Sequence, residues 1–166
     1  MASQWYSLTS QKLNLAKTLL SQLNQTIDQA QVNPQSTMLN EAIIQGTVEL
    51  LLRARRTLLV MIAQHHQQKD SEPLHLEELR TRIPYETQDL ADLEILQSTP
   101  SSWWNHLSHL EKALKQPPTP KKTVSADNII AVSAEDVADR SAKSLNDTLT
   151  AMTEFARAVE NRHNEW

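Results

Sequence analysis

Two Glu-x-x-His pairs, Glu72/His75 and Glu160/His163, are the first places to look for a metal ion. Residues three apart share a helix face, and such pairs, joined by two further carboxylates, build di-iron centres inside helical bundles. Their placement here argues against it. Glu72 precedes Pro73 at a helix start, Glu160 stands in a polar terminal turn with Asn161, Arg162 and Asn164, and the first helix offers only Asp28 as a carboxylate. His106 and His109 sit one turn apart on a helix that also carries Trp103 and Trp104. A zinc or nickel site there would need a third ligand, such as Glu111. Imidazoles packed at the edge of an aromatic cluster are the simpler account. His65 and His66 close a long helix and complement its dipole. No metal and no cofactor are expected.

Three other groups invite a function. Arg157 and His163 have the Arg-x(4–6)-His spacing of helical nucleases of the HEPN class, in which the two side chains act together on an RNA 2′-hydroxyl and phosphate. Here Ala158 follows the arginine where a polar residue is usual, and the pair lies at the end of the final helix. Arg53, Arg55 and Arg56 cluster in an otherwise apolar stretch. They could contact RNA, with Arg53 and Arg56 as binding residues, or neutralise the acidic 71–115 segment that follows. Trp103 and Trp104 are the most distinctive pair. Successive helical residues point about 100° apart, so both cannot face one core. One is expected to be buried and the other to be either covered by the prolines of 117–120 or partly exposed as a partner surface, which makes Trp103 and Trp104 binding candidates. No serine, threonine or lysine has a base beside it that would make a nucleophile, so no catalytic residue is assigned.

Composition narrows the chemistry further. The 166 residues suit one domain, with 39% hydrophobic and 22% charged residues. A single glycine, Gly46, leaves no phosphate-cradling loop, dinucleotide fingerprint or nucleophile elbow, and the lack of cysteine removes thiolate metal sites. The net charge is −4 and no block is strongly basic, so no nucleic-acid partner is expected. No apolar run approaches a membrane span. Met1 to Lys12 has no signal-peptide pattern, and the expected location is cytoplasmic.

The elements that carry these residues are helical. Apolar residues recur every three or four positions from about Ser3 to Ala30, as in a helix with one buried stripe. A second helix runs from Pro34, capped by Asn33, to about Gln68, and from Val48 to Ala63 it is apolar around most of its circumference. Such a helix is packed on more than one side, and Gly46 within it implies a close helix crossing. Shorter pieces follow. One starts at Ser71-Glu72-Pro73, one is capped by Thr87, and one is capped by Ser101 or Ser102. A proline-rich linker at about 116–124 leads to an extended Asn128 to Val132 stretch. A capping box at Ser133 to Asp136 then opens a last helix of roughly 29 residues that ends near His163. The expected fold is all-α: an elongated four-helix-like bundle in one domain, with three long helices and a fourth side of two or three short ones.

Tyr6-Ser7-Leu8-Thr9-Ser10-Gln11-Lys12 resembles the opening Tyr-x-x-Thr-Asn-Gln-Lys of a small family of short all-helical gamma-proteobacterial proteins of unknown function, with Ser10 in place of the asparagine. Ser102-Trp103 with Leu107 is similar to that family's tryptophan-bearing helix, and Ile129-Ile130-Ala131 to its extended stretch before the last helix. The resemblance implies a helical cytoplasmic protein and brings no catalytic residues. The expected function is a non-catalytic interaction or scaffold module, with an unknown protein partner or a homo-oligomer. The alternative is a helical-bundle enzyme, either metal-dependent or RNA-cleaving through Arg157 and His163.

Overall fold

The computed structural model describes residues 3–28, 34–70, 72–117 and 138–164. Among these described residues the structure is all-α, with six helices: α1 (Gln4–Asp28), α2 (Pro34–His65), α3 (Leu76–Arg82), α4 (Gln88–Ser98), α5 (Trp103–Leu114) and α6 (Ala142–Asn164). The three long helices pack together, and α3 to α5 supply the irregular fourth side.

α1 and α2 form an antiparallel hairpin, the most extensive contact in the molecule. Thr9 Oγ1 donates to Thr57 Oγ1 at 2.9 Å, and Leu19 lies against Gly46. These two pairs set the register. A Cβ at Gly46 would stand 3.2 Å from Leu19 Cδ1, so the glycine does mark a close crossing. α2 also touches α3, α5 and α6, as its all-round apolar middle demands. Leu51, Leu58, Met61 and Ile62 are fully buried, and each contributes about 1.5–3 kcal/mol by leaving water.

Several boundaries differ from the sequence expectation. α2 stops at His65, before Gln68. The Gln67 amide bonds to the Gln64 carbonyl and the Gln68 amide to that of Ala63, with Gln67 at φ 63°. That is a Schellman ending with glutamine in the left-handed position. The next helix starts at Leu76, not beside Pro73; Glu78 reaches back to accept the Leu74 amide. The last helix is 23 residues long and begins at Ala142. Its cap is Ser141, whose hydroxyl accepts the Ser144 amide while Asp139 holds the Ser141 amide. Thr87 and Ser102 cap their helices as expected. The Asn33 cap, the extended 128–132 stretch, the 133–136 capping box and most of the 116–124 linker lie outside the described residues. Among the described residues, no helix is long and apolar enough to cross a membrane.

Candidate functional site

The C-terminal ends of α2 and α6 and the starts of α1 and α4 meet at one end of the bundle, here called the foot. Ser3 caps α1 there, its hydroxyl accepting the Tyr6 amide at 3.0 Å. The Ser3 amide and hydroxyl donate to Glu160 of α6 at 2.6 and 3.1 Å. α6 therefore runs antiparallel to α1 and parallel to α2, and the C-terminal ends of α2 and α6 lie side by side. Both ends carry the partial negative charge of a helix C-terminus, which favours histidine and arginine nearby. The end of α2 brings His65 and, one residue beyond it, His66; α6 brings Glu160, Arg162 and His163, and the first turns of α4 bring Asp89 and Asp92.

Asp89 is the hub. It is 1% exposed. Its Oδ2 accepts from His66 Nε2 at 2.9 Å and from His163 Nε2 at 2.7 Å. Its Oδ1 receives Arg162, whose other nitrogen reaches Asp92 at 2.8 Å. Burial is the strongest influence on Asp89 and pushes its pKa up. The bonds from His163 and His66 and the charge of Arg162 outweigh it, and the carboxyl sits below its ordinary value. The His65 ring stacks on His163, centroids 4.3 Å apart and 5° from parallel, and His65 Nε2 bonds Glu160 at 3.1 Å. Burial first, then the neighbouring His163, hold His65 below the usual imidazole value. Tyr85 completes the group, its hydroxyl 3.4 Å from His66 Nδ1.

No family model, curated protein or solved structure matches this chain. What the residues can do rests on their geometry.

Glu160 overturns the expectation of a solvated polar terminal turn. It is 2% exposed and also receives Asn164 Nδ2 at 3.0 Å. Its pKa is pushed up by burial, but the Ser3, Asn164 and His65 bonds prevail and hold it low. The other Glu-x-x-His pair, Glu72 and His75, is exposed on both members. The pair at 160 and 163 does not act as a unit either: Glu160 turns to Ser3 and His65, His163 to Asp89. Arg157 is exposed, and no hydrogen bond or ion pair among the described residues joins it to His163.

His106 donates from Nε2 to the Asp139 carbonyl at 2.7 Å, and its Nδ1 is paired with Thr148 Oγ1 at 2.6 Å, while His109 is exposed. Glu111 is held by Arg55 and Lys115, so these three do not converge. Trp103 and Trp104 are both buried. Trp103 packs on Phe155, and Trp104 lies beneath the Arg55 guanidinium at 5.0 Å. They find different neighbours instead of sharing one core face. Arg53 and Arg56 are exposed on α2. Thr9, in the N-terminal motif, is fully buried and packs against Thr57.

Sequence reasoning missed Asp89 altogether. One signal was available: His65-His66 and His163 each close a long helix, and a bundle that sets those helices parallel must bring them together. The carboxylate itself had no such signal, because an acid in a first helical turn is commonplace.

Proposed function

We propose that this protein is a non-catalytic, cytoplasmic interaction module that pairs with a second copy of itself through the far tip of the α1–α2 hairpin. The observation that carries this reading is a cluster of exposed apolar side chains at that tip. In the register set by Thr9/Thr57 and Leu19/Gly46, Ile27 lies level with Met38 and Leu39. They are 52%, 76% and 49% exposed. Arg140, just ahead of α6, reaches Glu41 at 2.6 Å. The first turns of α2 therefore extend past the start of α6.

Charge favours self-association at this place. From Thr18 to Asn40 the only charged residue is Asp28, in a chain that is 22% charged overall. Interface cores are depleted in charge in just this way. Two copies of a chain with net charge −4 repel each other at most surfaces; at the hairpin tip that repulsion is weakest. A two-fold contact of hairpin on hairpin would form a four-helix layer and would close without leaving a free apolar face. A stable interface buries about 800 Å² per partner, so the uncharged polar side chains around the three apolar ones join the contact.

Sedimentation velocity over a concentration series tests the reading. The expected result is a reversible dimer that Met38→Glu and Leu39→Lys each convert to a monomer of unchanged helicity by circular dichroism. A monomer at every concentration, or a dimer indifferent to both substitutions, would sink it.

A further inference from the structure

The foot of the bundle carries a separate inference, independent of the hairpin tip. We propose that His66 Nε2, Asp89 Oδ2 and His163 Nε2 bind one divalent transition-metal ion. One ligand atom from each of the three residues lies within 4.8 Å of the others, and both imidazole nitrogens point at the same carboxylate oxygen. A first-row ion about 2.1 Å from each ligand needs them about 3.0–3.4 Å apart. The carboxylate-to-imidazole separations are 2.9 and 2.7 Å. Those two separations have to open by a few tenths of an ångström, and the two imidazole nitrogens, within 4.8 Å of each other, have to settle at the same spacing of about 3.0–3.4 Å. Two imidazoles and one carboxylate suit zinc, iron, nickel or cobalt and do not suit magnesium or calcium.

The surroundings fit a ligand set. Arg162 takes Asp89 Oδ1 and leaves Oδ2 for the ion. When Nε2 of His66 binds metal, its proton resides on Nδ1, where the Tyr85 oxygen can accept it; metal-bound histidines commonly have such an outer partner. His65, stacked on His163 and tied to Glu160, fixes the plane of the second ring. Gln67 holds the left-handed conformation immediately after His66, a conformation that is unfavourable in a residue other than glycine. The chain thus bears local strain where it aims a ligand. Asp89 is buried, but His66 and His163 keep 13% and 21% of their side chains exposed, so an ion can enter from water. With three protein ligands, the remaining positions belong to water or a small anion.

A plain structural clamp would use the same hydrogen bonds, so the test has to separate the two. The full-length protein, stripped with EDTA and dialysed, is titrated with ZnCl2 by calorimetry and with CoCl2 by absorbance. The proposal predicts one ion per chain. His163→Gln and Asp89→Asn should each weaken binding about tenfold or more, and His109→Gln should leave it unchanged. Absence of saturable one-to-one binding, or binding indifferent to both ligand substitutions, would overturn the site. Should those variants unfold, proton NMR of the wild-type cobalt complex decides. Paramagnetically shifted ring protons from His66 and His163 uphold the site, and shifts on His106 or His109 in their place refute it.

Discussion

Arg55 illustrates how a half-buried cation can be satisfied from several sides. Its guanidinium lies over Trp104 and reaches Ser108 Oγ at 3.0 Å and Glu111 at 2.7 Å. Glu111 answers to two cations. The bond from Lys115 contributes most to holding its pKa below the ordinary value; burial opposes this, and the charge of Arg55 adds to the lowering. The fold therefore favours the ionised carboxylate. That contribution is complete above the ordinary value of 4.5 and drains away as pH falls through the folded value. Wild type should exceed Glu111→Gln in stability by about 1 kcal/mol or less near neutral pH, since the pair is partly solvated. The two should converge in strong acid. Urea unfolding as a function of pH measures the difference, and a constant gap across the range would refute the assignment.

At the scale of elements, the helices were legible in the sequence because apolar spacing and caps act locally. Thr87 and Ser102 cap where their positions suggested, and the all-round apolar stretch of α2 is the helix with the most neighbours. What escaped was set by partners distant in the chain. Glu160 looks like a solvent-facing residue until Ser3, 157 positions earlier, is placed against it. Asp89 looks like an ordinary first-turn acid until α2 and α6 deliver histidines to it. Trp103 and Trp104 could be read as half-exposed because the sequence does not reveal that Phe155 and Arg55 cover them. The Schellman ending at Gln67 was equally hidden, since glycine is the residue that announces it. Gln67→Gly should raise stability by about 1 kcal/mol by relieving the left-handed backbone. Gln67→Val should lower it. Thermal unfolding of the two variants against wild type provides the check, and equal melting temperatures would show that the turn is unstrained.

For the molecule as a whole, the Ser3–Glu160 contact ties α1 to α6 and so closes the three-helix core. Glu160→Ala would leave the Ser3 amide and hydroxyl and the His65 ring without their acceptor, at a cost of about 2–4 kcal/mol. Joining Ser3 to Glu160, 157 positions apart, closes a longer loop and costs more chain entropy than pairing Thr9 with Thr57, 48 apart, so the α1–α6 contact is expected to form after the hairpin. Stopped-flow kinetics should therefore show the loss chiefly as faster unfolding, with the refolding rate little changed. A matching fall in the refolding rate would mean that this closure belongs to the folding nucleus.

One helix, α2, spans the whole distance between the two regions of interest. Met38 and Leu39 ride near its beginning and His65 and His66 near its end, about 40 Å apart at helical rise. Its middle is gripped by neighbours on several sides, so this strut resists bending and behaves as an axle. Any twist imposed at one extremity has to be absorbed at the other or in the side chains that clasp the shaft between them.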